Sequence, residues 1–596
     1  MRLFPLSFSR SNYCARSQCC DRLFFVERSD CRDAQTRRKR YGCNGQKVDQ
    51  KEGLEEEGPQ EGFKEEGLEE GFKKEGRQEE VFTEEEEVTQ QALLQIDRLG
   101  PLRRFRESPL WRAFVVMACL GICGGCALSP ARGAGREIVA ETLDRLLADP
   151  SLRHSGAALL VVSLDRGDTL YTREADRLYT PASNLKLFTA ASALHYLGPD
   201  YRFVTTLASD APVTGDTLRG DLYLVGRGDP DLATEDLAAL ADRLVARGVR
   251  VVQGRVRAVT DYFTGPAWGA GWMWDDGPYW YWPYSSAVTL NDNAVTVTVE
   301  PGPAIGEPVR VELDPPTAFM EMRVSARTGP AGGEPELIVE RHWAIKENVI
   351  DVRGVLPVGS DPVIEIRTVE DPALYATAVL EELLEGRGVT VLGLAVSPLT
   401  SGGPSHPRVL KTIARHRGDS LAVSVRNFLK ASDNLTGEQL VKVIGAEVAG
   451  PPGDYETGLA AERRFLASEV GIDTTAMVLA DGSGVSRYNL VTARQIVHLL
   501  AYVAGREDIA PAYFSALPIA GVDGTLEERM RGTAAERRAR AKTGSLSGVT
   551  ALSGYVTSGG GEQLAFSVMM EFFPGPAGPR RAVQDSIVAA LARFRR

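Results

Sequence analysis

Strand-like runs at opposite ends of the chain constrain this fold more than any other feature. Ala157-Ala-Leu-Leu-Val-Val-Ser-Leu164 is almost wholly apolar, and Arg166-Gly167-Asp168 turns it into Thr169-Leu-Tyr-Thr172. Far downstream, the segments 548–558 and 564–573 have the same character and are joined by a glycine-rich turn. A segment of helical apolar spacing flanks each end, 136–149 before the first strand and 580–594 after the last. Strands of this kind need cover, so the two ends are expected to share one α/β (α+β) domain, assigned to residues 135–210 and 401–596. The intervening residues 211–400 carry short alternating strands, such as 217–224 and 293–300, and read as inserted β-rich domains.

The first part of the chain is of another kind. All eight cysteines lie before residue 127, so the rest of the chain can form neither a disulfide framework nor a cysteine metal site, which suits an exported protein. Residues 51–90 repeat a Glu-Gly unit and hold 16 acidic against 5 basic groups, too little apolar surface to offset ordering. Much of the formal charge of −12 therefore resides in one segment, and the remainder has no net positive field to favour a nucleic acid. Arg103, Arg104, Arg106 and Arg112 precede an apolar stretch, 113–123, and the small exit Gly124-Gly125-Cys126. That order is an export signal, too short for a permanent span. It is assigned to 102–127, with 1–101 a disordered acidic leader or a spurious translation and Cys126 the candidate acceptor of a lipid anchor.

The candidate chemistry is nucleophilic. The six histidines are scattered and no Gly-x-Ser-x-Gly elbow is present, so a Ser-His-Asp mechanism and a His-Glu-x-x-His metal site both lack support. Lysine replaces histidine as a base once its ammonium is desolvated. Ser183-Asn-Leu-Lys186 offers that pair at the start of an apolar helix, where residues three apart share a face and free N–H groups favour developing negative charge. Ser432-Asp433-Asn434 comes before a helix-like segment, 435–448, and Lys542-Thr543-Gly544-Ser545 leads into the C-terminal strands. The order Ser-x-x-Lys, Ser-x-Asn, Lys-Thr-Gly is the serine β-lactamase and penicillin-binding-protein signature.

With its first two motifs 249 residues apart, the chain resembles the low-molecular-mass penicillin-binding proteins with inserted domains, the class C D-alanyl-D-alanine carboxypeptidase/endopeptidases. The stretches 220–232, 481–489 and 520–526 look like the same family. The resemblance implies a penicillin-binding-protein/serine β-lactamase-like transpeptidase domain, located in the periplasm or cell envelope. It needs no cofactor or metal and acts on peptidoglycan stem peptides through an acyl-enzyme, with β-lactams as inhibitors. It implies Ser183 as nucleophile and Lys186 as base. Backbone N–H groups of Ser183 and Ser545 would form the oxyanion hole, and Ser432 would relay a proton to the leaving amine. Asn434 would hold the acyl-donor peptide bond, Lys542 and Thr543 the terminal carboxylate, and Gly544 would let substrate approach.

Five tryptophans fall within residues 268–282. They read either as packing between the insert and the catalytic domain or as a cleft wall. On the second reading the resemblance matches Asp276 and Tyr281 to an acid and an aromatic, with Arg487 opposite, suited to a side chain bearing both charges, such as diaminopimelate. A β-lactamase, an esterase of the same fold and a wall-binding scaffold are the alternatives.

Overall fold

A computed structural model describes residues 134–393 and 409–596. The leader, the export signal and Cys126 lie outside the described residues. Helix α1 (Ala134–Leu147) precedes strands β1 (Gly156–Ser163) and β2 (Thr169–Arg173), and helix α2 (Lys186–Leu197) comes after them. The chain then passes through β3 (Arg202–Ser209), β4 (Leu222–Val225) and β5 (Val256–Val259), and later through β6 (Lys411–Ser420). Helices α3 (Leu421–Ala431) and α4 (Asn434–Ala449) come next, and strands β7 (Ala539–Leu546), β8 (Val549–Thr557) and β9 (Gln563–Glu571) and helix α5 (Gly578–Arg593) close it.

The two ends meet in one antiparallel sheet of order β2-β1-β9-β8-β7. Both faces of β1 are buried, which is why its sequence is continuously apolar rather than alternating. Leu159 and Val161 pack with Leu143 of α1 and Ile587 of α5, whereas Ala158 and Leu160 face Phe188 of α2 and Ile496. A second core, from Leu207 to Ala414, is built from the intervening strands and the helices Thr234–Ala246 and Pro372–Glu385.

Two details depart from the sequence reading. Residues 217–224 form two strands, Thr217–Leu218 and β4, because Gly220 and Asp221 turn between them; a Cβ on Gly220 would lie 2.3 Å from an Asp210 carboxylate oxygen. The four-stranded sheet β6-β3-β4-β5 joins strands from both sides of the boundaries expected at 210 and 401, so hydrogen bonding is continuous across them. Among the described residues, no helix is long and apolar enough to cross a membrane.

Candidate active site

Three local structures bring the sequence motifs together. The first is the tight turn Ala182–Leu185 that opens α2; it begins with Ala182 at φ +47°, a left-handed conformation held by its surroundings. The second is the junction of α3 and α4. Ser432 at φ +62° ends one helix, and Asp433 caps the next by accepting from the Leu435 and Thr436 amides. The third is β7, the edge strand that carries Lys542 to Ser545. It approaches the Ser183 turn so closely that a Cβ on Gly544 would lie 2.7 Å from the Pro181 carbonyl oxygen, so only glycine fits.

Lys186 is fully buried at the centre of this arrangement. Its Nζ lies 3.0 Å from Ser183 Oγ, and donates to Asn434 Oδ1 at 2.7 Å and to the Ser483 carbonyl at 2.6 Å. Burial pulls its ammonium down to about 8 from 10.5, against the opposing charges of Asp433, Asp481 and Glu438. Lys542 is equally buried and donates to Ser432 Oγ and to the Thr543 carbonyl, each at 2.9 Å. Burial, and then the charge of Lys186, hold it well below its ordinary value. Two cations this close and this dry repel, so the site favours at least one neutral amine.

The remaining expected residues lie around this centre. The hydroxyl of Thr543 donates to Thr525 at 2.8 Å, and that of Ser545 accepts from Arg581 at 3.0 Å. Asn434 is engaged at both ends, since its Nδ2 donates to the Tyr281 carbonyl at 2.6 Å. That bond uses one of the two amide N–H groups, and the other remains for the contact to a substrate peptide bond implied by resemblance.

The aromatic segment both packs and reaches this site. Trp272, Trp282 and Tyr284 form a buried cluster, while Trp274 and Trp280 remain exposed. Trp272 Nε1 donates to Asp481 at 2.9 Å, and Tyr281 Oη to Asp276 at 3.1 Å. Burial raises Asp276 above the usual carboxylate range; the Tyr281 bond and the Arg487 charge oppose the rise, and Asp275 adds to it. Arg487 itself donates to the Ser547 carbonyl at 2.8 Å, beside the end of β7.

Sequence reasoning missed the support behind Lys186. Glu438, one turn after Asn434 on α4, is buried and accepts from the Ser483 amide at 2.9 Å and the Gly482 amide at 3.3 Å. Asp481 accepts from the amides of Gly484 and Ser486 and from Asn489 Nδ2. The loop can sit this tightly on α4 because two glycines meet there: a Cβ on Gly482 would lie 2.1 Å from the Gly437 oxygen. The available signal was the run Asp481-Gly-Ser-Gly, polar residues at positions where backbone must approach backbone.

Comparison with known proteins gives this geometry a family. Residues 139–594 match the model of the D-Ala-D-Ala carboxypeptidase 3 (S13) family. The chain belongs to that family. A D-alanyl-D-alanine carboxypeptidase of an Actinomadura species is 42% identical over 479 residues, 78% of this chain and 87% of that protein. The carboxypeptidase DacB of Haemophilus influenzae is 26% identical over 417 residues, 69% and 84% of the two chains. A crystal structure of penicillin binding protein 4 from H. influenzae has the same fold, with a TM-score of 0.65 at 24% identity, over 76% of this chain and 99% of that one. This S13 peptidase is thus a serine-type D-Ala-D-Ala carboxypeptidase, a hydrolase of peptidoglycan peptides whose work lies in the cell envelope.

Proposed function

We propose that Ser183 is the acylated nucleophile and Lys186 its general base. What carries the assignment is the hydrogen-bond set of one amine. A neutral lysine has two N–H groups and one lone pair. Asn434 Oδ1 and the Ser483 carbonyl can only accept, so they take the two hydrogens and aim the lone pair at the Ser183 hydroxyl 3.0 Å away.

On this reading Ser183 Oγ attacks the carbonyl carbon of the penultimate D-alanine while its proton passes to Lys186. The oxyanion is held by the backbone N–H groups of Ser183 and Ser545. The C–N bond then breaks, and the leaving amine of the terminal D-alanine takes a proton through Ser432, which Lys542 supports at 2.9 Å. Lys542 and Thr543 receive the terminal carboxylate, and water hydrolyses the ester. Asn434 fixes Lys186 through its oxygen and offers the second N–H of its amide to substrate while the first stays on the Tyr281 carbonyl. Asp276, Tyr281 and Arg487 recognise a third stem residue bearing both charges, a reading supported by the Tyr281 bond to Asp276 and by the Arg487 charge acting on that carboxyl.

Residues 135–210 and 401–596 carry the chemistry in this proposal, and 211–400 shape the approach to it. The enzyme is exported by the signal at 102–127 into the periplasm or its equivalent, and the intact mass of the mature protein decides whether Cys126 is acylated. A fluorescent penicillin should label the protein once per chain, and Ser183→Ala should abolish labelling. Steady turnover of the penicillin would mark a β-lactamase instead, and labelling of the alanine variant would refute the assignment.

A further inference from the structure

A concavity of about 460 Å³ opens far from the serine, between the outer face of β3 and β6 and the C-terminal end of α4. Glu447, on its wall, lies thirteen residues beyond Asn434 on the same helix, which places it about 20 Å from the catalytic lysine's partner. Four arginines line it: Arg202, Arg227, Arg415 and Arg417. Arg415 and Arg417 alternate with His416, so they leave one face of β6 about 7 Å apart, opposite Thr206 and Val204. Arg227 comes from the loop after β4 and lies 5.3 Å over the Tyr262 ring.

Glu447 is the one carboxylate on this wall, and the hydroxyls of Tyr201 and Tyr262 already donate to its Oε1. Arg202 is tied to the Gly418 carbonyl at 2.8 Å. Among the described residues, Arg227, Arg415 and Arg417 make no ion pair. The four guanidinium groups are exposed, so water screens much of their mutual repulsion, while an anion settling among them is attracted by all four. The gathering stands out because the chain after residue 90 is net negative.

We propose that this concavity binds a phosphodiester polymer with hydroxyl-bearing units, a polyol phosphate or sugar phosphate chain of the envelope in which the enzyme works. Guanidinium groups suit phosphate because they donate two parallel hydrogen bonds, and arginines spaced along a strand match successive charges better than they match one small ion. The second oxygen of Glu447 and the hydroxyl of Thr206 suit the polymer's own hydroxyls. Holding such a polymer away from Ser183 would tether the enzyme to the wall while leaving the cleft open, which raises the local concentration of stem peptides.

The envelope location is shared with the proposed peptidase function, so the test measures the two separately. The probe is a fluorescent glycerol phosphate oligomer of six units, titrated by anisotropy at low salt against the active protein, with turnover of a soluble D-alanyl-D-alanine peptide recorded for each variant. R415E/R417E should weaken oligomer binding at least tenfold and leave peptide turnover within twofold, which also reports that the variant is folded. Inorganic phosphate should compete at least tenfold less well than the oligomer. R537E/R538E, on a separate basic concavity of about 560 Å³, should leave binding within twofold. Equal loss from both double variants, or no binding by the unaltered protein, would overturn the proposal. Capture by phosphatidylglycerol vesicles without capture of the oligomer would overturn it in favour of a lipid head group.

Discussion

Lowering the pH is the sharpest perturbation of the proposed base. A lysine ammonium moved from 10.5 to about 8 costs about 3 kcal/mol more to protonate in the fold than in water. At pH 7 it therefore supplies free amine about 300 times more often than an unperturbed lysine. The single-turnover rate of acylation by a penicillin, measured from pH 5.5 to 10, should rise about tenfold per unit and level off near 8. The same shift enters stability with a definite sign. A folded value depressed below the unfolded one contributes stability that is complete above 10.5 and lost as pH falls through about 8. Lys186→Met removes that penalty but orphans the Asn434 oxygen and the Ser483 carbonyl, each worth about 1–3 kcal/mol. The two effects offset, so the urea midpoint at pH 6 should move little while acylation disappears. A rate that is flat across this range, or that levels off only near 10, would refute the argument that burial prepares this amine.

The contacts around the centre lead to three further outcomes. Glu438→Ala leaves the buried amides of Gly482 and Ser483 unpaired and should cost about 2–4 kcal/mol in urea unfolding and slow acylation, while Glu438→Gln keeps one acceptor and should recover most of both. Asp276→Ala and Arg487→Ala should each lower kcat/KM at least tenfold on a peptide whose third residue carries both charges, and leave an uncharged analogue within threefold; unchanged kinetics on the charged peptide would remove both residues from the site. Trp272→Phe keeps the ring but loses the bond to Asp481, so thermal unfolding should show a loss of about 1–2 kcal/mol with acylation within threefold.

Much of this site was legible in advance because its parts are local. Ser183 and Lys186 are three apart at a helix start, a spacing that fixes their relation before any tertiary contact forms. The apolar runs of β1, β8 and β9 likewise declared burial on both faces. Glu438 was not legible, because a glutamate within a helix has the pattern of a solvated residue until another segment covers it. Nor was the second partner of Asn434 readable, since Tyr281 reaches it from 153 residues away.

Sequence alone therefore determined which residues could perform the chemistry, the two-ended sheet domain and the family resemblance, since each rests on short-range periodicity or on residues within one turn. Tertiary structure decided what those residues are. It stripped water from Lys186, set Ser483 and Asn434 to accept from its amine, and joined strands across the expected domain boundary. Desolvation and hydrogen-bond direction depend on which distant segments fill the remaining space, and no local pattern records that.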